Sequence, residues 1–268
     1  MGTTGGLVEI MGLHRNIPAE TDMEAVKRVA RVLLHTPIHE TTVPLIVNHP
    51  FFLTAIQPVR NELTGEYDTI NILDDIKGRK RVYDYISQQI EETENIAQIG
   101  FTLIDKKYRL LFLKMVEPFC SSEDIGTYIS SLWVSVECIS QDPNVSHRDI
   151  IRMFNRSSKA TLMTDGERNA LDVMPDVISI YRGVRLPEGT ISSKGDHGFS
   201  WTLDRDIANW YWHRYGNMDR QTEMLYQAQI RKEDILAYFG ERAGEKEIVV
   251  NPKKLINVIE IEPDEMKA

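Results

Sequence analysis

The chain has 268 residues, 42% hydrophobic and 26% charged, with a formal net charge of −9 and a pI near 5.3. That acidity argues against a general nucleic-acid or membrane-surface binder, which presents a basic face, though it leaves room for a local basic cleft. There is no run of about 18 apolar residues to form a spanning helix, and Cys120 and Cys138 make no disulfide framework, so a reducing cytoplasm is expected.

Residues 1–20 read as a flexible lead-in containing Gly5, Gly6 and Pro18. The opening MGTTGG lacks the charged and apolar regions of a signal peptide, and Gly6 breaks the myristoylation pattern. Thr21 to Glu24 (TDME) form a capping box for a helix with Met23, Val26, Val29, Ala30 and Leu33 on one side, ending near Pro37. His35 and His39 lie four apart beside Glu40, but Pro37 breaks the helix that would align them, so no metal site is expected. Pro44, Pro50 and Pro58 interrupt residues 38–75, where TGEYD (64–68) reads as a turn.

A helix follows with Val82, Ile86 and Ile90 on one face. Lys77, Arg79, Lys80 and Arg81 form its solvated start. Residues 101–115 fit either a hairpin turning at DKK or a helix from Lys107, and the helix is favoured. From Ser122 an apolar stripe runs through Ile125, Tyr128, Ile129, Leu132, Trp133 and Val136. Ser146 with Asp149, and Thr164 with Glu167, open two more helices, the second ending near Pro175. Cys120 and Cys138 read as buried packing residues.

After Pro175 the period changes from helical to alternating. Strands are predicted over 177–183, 198–202, 223–230, 245–250 and 255–261. KEDILAYF reads as a short turn, and one helix carries Ile207, Ala208, Tyr211, Trp212 and Tyr215 on a face. Trp210, Tyr211, Trp212 and Tyr215 are expected in the helix core. The organisation is therefore α+β, with a mainly helical region over 21–174 and a β-rich region over 175–268.

Three segments of the β-rich region stand out. In ISIYRGV, alternation puts Arg182 on the face of Ile178, Ile180 and Val184, and a guanidinium there needs an anionic or polar partner, either a residue or a ligand. GFSWTLD (198–204) runs from a strand into a helix start. On that strand Trp201 faces away from Ser200 and Thr202. In GEKEIVV (244–250), alternation puts Glu245, Glu247 and Val249 on one face, where two like charges should raise one carboxyl pKa.

An arginine on a first strand, an aromatic-Ser-x-Thr strand before a helix and Glu-x-Glu on a late strand, in that order, resemble the arginine-serine-glutamate class of mono-ADP-ribosyltransferases, including clostridial toxins and phage enzymes. The resemblance covers about residues 175–262. It implies an ADP-ribosyltransferase-like β-sandwich core over 175–268, NAD as substrate and a target protein as partner. Arg182 would hold the NAD diphosphate or ribose and Gly183 would let backbone approach the carboxamide. Ser200 would orient the catalytic Glu247, and Thr202 would shape the strand-to-helix corner. Glu245 would position an acceptor arginine. Phe199, Trp210 and Trp212 are candidates to stack on nicotinamide. The loop FGERAG (239–244) would meet the target. Trp201 stands where the family has a small residue. The alternatives are an NAD glycohydrolase, or a binding or inhibitor protein without the chemistry.

Overall fold

The computed structural model describes residues 17–61, 64–135, 142–187, 198–213, 221–241 and 244–262. It contains two units, Met1–Tyr128 and Ile129–Ala268. The compositional change near residue 174 falls inside the second of these.

In the first unit, α1 (Met23–Leu34) buries Val26, Val29, Ala30 and Leu33, as its periodicity requires. Its cap is shifted by one residue from the expected box. The Asp22 side chain accepts from the Ala25 N–H at 2.9 Å, while the Thr21 hydroxyl donates to Asp124 and accepts from the Ser121 N–H. The proline-interrupted segment holds two small antiparallel pairs, β1 (His39–Glu40) with β2 (Val47–Asn48) and β3 (Ile56–Arg60) with β4 (Tyr67–Asn71). Pro58 sits within β3 opposite Thr69, which a two-stranded pair tolerates because one side of each strand needs no N–H.

Next comes α2 (Ile76–Glu92), capped by Asp75. Its basic start is satisfied locally: Arg79 donates to the Ile72 and Leu73 carbonyls, Lys80 pairs with Asp84 and Arg81 with Asp68. Residues Ile99–Leu103 make a π-helical turn, Lys106–Tyr108 a 3-10 turn, and α3 (Arg109–Val116) follows, so the helical alternative for this stretch holds. Cys120 is buried; Cys138 lies outside the described residues.

Helix α4 (Ser122–Trp133) runs across the division between the units. Beyond it come α5 (His147–Arg156), α6 (Lys159–Leu162) and α7 (Asp165–Asp172). The Ser146–Asp149 and Thr164–Glu167 boxes are both closed reciprocally.

The sheet of the second unit is built from β5 (Val177–Pro187), β6 (Ser200–Thr202), β7 (Gln221–Arg231), β8 (Ile235–Phe239), β9 (Glu247–Val250) and β10 (Ile256–Ile261), in the order β10-β7-β5-β6-β9-β8, antiparallel throughout. Helix α8 (Arg205–His213) connects β6 towards β7. The segment KEDILAYF is not one turn. It is a 3-10 turn, Lys232–Asp234, followed by β8, whose five residues are all buried. A continuous apolar run is what a strand covered on both faces looks like, and it hides the alternation by which strands are usually read.

The six strands form one continuous ladder, yet it is joined weakly in the middle. Strands β5 and β7 pair over eleven residues, whereas β5 and β6 share a single pair, Tyr181 with Thr202. The sheet therefore consists of two three-stranded halves, β10-β7-β5 and β6-β9-β8, that part immediately beyond that pair.

Candidate functional site

The parting of β5 from β6 is where the three sequence segments meet. Arg182 follows Tyr181, the one position at which β5 pairs with β6, and is itself still paired with Tyr226 of β7. Ile178 and Ile180, four and two residues before it, are buried, so the alternating face is as expected. The guanidinium spans the gap between the halves: Nη1 donates to the backbone carbonyl of Ser200. Its other face lies against Gly198, where an added Cβ would come within 2.7 Å of Nη2 and 2.9 Å of Cζ. Gly198 also has φ of +67°, so a side chain there is disfavoured by conformation and by space. One partner of the arginine is thus a carbonyl dipole, and the carboxylate of Glu247 is near enough to feel its charge.

Register explains how Glu247 arrives. It pairs with Thr202 across β6 and β9, which leaves Ser200 as its diagonal neighbour on the same face. The Ser200 hydroxyl donates to Glu247 Oε1, and the Trp133 indole N–H, from the end of α4, donates to the same oxygen at 2.8 Å. The carboxyl pKa is raised. Burial is the main cause and the like charge of Glu245 adds to it, while the Ser200 and Trp133 hydrogen bonds and the Arg182 charge act the other way. The expected rise is therefore present on Glu247, but desolvation outweighs the carboxylate pairing that predicted it.

Glu245 does not share the strand. β9 begins at Glu247, and Lys246 has φ of +47°, so the backbone turns between the two glutamates and alternation does not extend back to Glu245. Its side chain accepts from the Tyr211 hydroxyl of α8 at 2.5 Å, and its carbonyl accepts from Thr202 Oγ1 at 2.7 Å. Lys246 projects to Asp204 (3.0 Å), whose carboxyl is held below its usual range by that ammonium. Thr202 Oγ1 also accepts from the Asp204 N–H at 3.0 Å, so this threonine ties the end of β6, the start of α8 and the turn before β9 together. That is a corner role, built by hydrogen bonds among protein groups.

Other expectations change. Gly183 is required by helix packing: a Cβ would lie 2.1 Å from the Ala208 carbonyl oxygen and 2.6 Å from the Trp212 nitrogen. The absent side chain makes room for α8. Phe199 is 2% exposed, with its ring edge-on to His147 at 4.9 Å, so it offers no open face for stacking. Trp201 is also core, as its place on the strand predicted, with Nε1 donating to the Gly198 carbonyl at 3.3 Å. Trp210 is 46% exposed instead of buried, and stands edge-on to Tyr211 at 5.0 Å. Of the loop FGERAG, Phe239 is buried and the Glu241 side chain accepts from Thr164; Arg242 and Ala243 lie outside the described residues, as do Tyr215 and His197.

Sequence reasoning missed Trp133 and Tyr211. Both sat in apolar stripes at helical spacing, where a large aromatic reads as packing. Nothing in the spacing shows that the one polar atom of each ring ends on a glutamate. Among the described residues no group of three or more His, Cys, Asp or Glu could hold a metal, and no helix is long and apolar enough to cross a membrane. In comparisons with known proteins the chain matches no family model, no curated protein and no solved structure.

Proposed function

We propose that the protein is an NAD-dependent mono-ADP-ribosyltransferase that transfers ADP-ribose to a protein acceptor, an arginine side chain, with release of nicotinamide. The observation that carries this reading is the convergence on one residue: Ser200 receives the Arg182 guanidinium on its backbone carbonyl and gives its hydroxyl to Glu247. A fork of positive donors and a carboxylate so close together, at a split in a sheet, suit a ligand that is anionic at one end and develops positive charge at the other. The ADP-ribosyltransferase-like core belongs to the same proposal, supported by two three-stranded halves that part at the site.

In this reading Arg182 neutralises the diphosphate. Glu247 faces the ribose as the bond between its anomeric carbon and nicotinamide breaks. The bonding electron pair leaves with nicotinamide, and the positive charge gathered on the ribose is stabilised by the carboxylate. The acceptor nitrogen then forms the new bond to the anomeric carbon, and Glu245 takes the proton it loses. The hydroxyl of Tyr211 orients Glu245 for that step.

The test is incubation with labelled NAD and a lysate of candidate targets. Label transfer by the wild-type chain, abolished by Glu247→Gln, is expected. No label and no NAD consumption by a folded wild type refutes the enzyme. Glu245→Gln separates transfer from NAD hydrolysis, because water needs no positioned acceptor: hydrolysis should persist while transfer is lost. The reading as a binding protein without chemistry requires instead that NAD fails to bind in a calorimetric titration and that Glu247→Ala leaves the biological effect intact.

A further inference from the structure

We infer that Trp133 is a positioning residue for Glu247: its indole N–H and the Ser200 hydroxyl together fix carboxylate oxygen Oε1, so that Oε2 is the oxygen presented to the reactants. The inference rests on the transferase reading for its kinetic consequences, though not for the hydrogen bond itself.

Both donors converge on Oε1, and among the described residues Oε2 receives no hydrogen bond. A carboxylate held by one oxygen alone still turns about its last bond. Two donors from different directions, one on the neighbouring strand β6 and one on helix α4, remove that freedom. The indole is itself held. Phe154, buried on α5, meets its ring edge-on at 4.9 Å, and Leu132 beside it on α4 is buried.

The chemistry of the two donors differs in a way that matters. A serine hydroxyl rotates, so it can donate to a carboxylate or accept from a protonated acid. An indole N–H donates and never accepts. Trp133 therefore favours the ionised form and opposes a proton on Oε1, which Ser200 alone does not. The opposing influences on this carboxyl are its burial and Glu245, and Arg182 acts in the same sense as Trp133. For packing alone the indole needs any acceptor; here it reaches the one carboxylate that Ser200 also holds.

The experiment is Trp133→Phe, which keeps an aromatic ring against Phe154 and deletes the N–H. The Glu247 carboxyl is followed by carbon-13 NMR, its signal assigned by loss in Glu247→Gln. The Glu247 titration is expected to move up by about one pH unit, the equivalent of one hydrogen bond to a charged group. The acid limb of NAD cleavage should move with it. At a pH above both titrations kcat should fall about 10- to 100-fold with the KM for NAD nearly unchanged, since only the orientation of Oε2 is lost.

An unmoved titration overturns the inference, as does wild-type kcat at high pH. A shift of the same size in Phe154→Leu, which loosens the ring and keeps the N–H, also overturns it. Should Trp133→Phe not fold, the wild type decides. One indole N–H of the four tryptophans must change its nitrogen-15 resonance in step with Glu247 and stop doing so in Glu247→Gln; if none does, the inference fails. If the wild type cleaves no NAD, the transferase reading falls while the titration still tests the contact.

Discussion

Gly183→Ala tests whether this glycine serves helix packing or ligand approach. The added methyl would stand 2.1 Å from the Ala208 carbonyl oxygen and 2.6 Å from the Trp212 nitrogen. Both are backbone atoms of α8, so no rotamer change relieves the clash. An ordinary contact is about 3.4 Å or more, so the helix must withdraw from β5 by roughly an ångström. Overpacking of this kind costs about 1–3 kcal/mol. With a urea slope of about 2 kcal/mol/M, the midpoint should fall by about 1 M. Because α8 carries Tyr211, which holds Glu245, the withdrawal should also loosen Glu245, lowering transfer to the acceptor more than NAD hydrolysis. Equilibrium urea unfolding of wild type and variant, with both NAD assays, makes the check. An unchanged midpoint combined with lost NAD affinity would refute helix packing as the reason for the glycine and restore the ligand role.

The remaining expectations concern charge and strain. Glu247 is destabilised as an anion by burial, so the folded state holds its proton more tightly than the unfolded one; this contribution to stability is lost as pH rises through the window above 4.5. Glu247→Gln, which keeps an oxygen for Trp133 and Ser200, should therefore melt higher than wild type at pH 7 while losing NAD cleavage. A lower melting temperature would contradict the burial argument.

In the first unit, His49 is 1% exposed, accepts from the Phe51 N–H at 3.1 Å and stacks on Phe52, and burial lowers its pKa from 6.5 to about 4. The neutral imidazole is favoured by the fold, so up to about 3 kcal/mol is present above pH 6.5 and lost on acidification towards pH 4. His49→Phe should flatten that part of the urea-stability profile, and an identical slope in the variant would exclude His49 as its source. Gly198→Ala places a methyl 2.7 Å from Arg182 Nη2 at φ of +67°. Calorimetry should show weaker NAD binding, and unaltered affinity would count against Arg182 as the anion site.

Much of the helical framework was legible because it follows from local rules. The Ser146 and Thr164 boxes, the buried side of α1 and the stripe on α4 from Ile125 to Leu132 need only 3.6-residue periodicity and a capping side chain; Val136, the stripe's expected end, lies outside the described residues. The strands around Arg182 and Ser200 were legible by alternation, as was the inward turn of Trp201. Strand β8 was not, since a strand buried on both faces carries no alternation, and Asp22 took the cap from Thr21 because the threonine hydroxyl is engaged by residues a hundred positions away.

Sequence by itself determined the inner sides of the capped helices and of the strands around Arg182 and Ser200, because side-chain direction is a local consequence of backbone geometry. Tertiary structure alone decided what those side chains meet. The turn at Lys246 separates Glu245 from Glu247, Gly183 yields its space to α8, and a tryptophan and a tyrosine from apolar stripes end on the two glutamates. Hydrogen bonds between groups 34 and 114 residues apart depend on strand register and helix packing, and no periodicity within either segment encodes them.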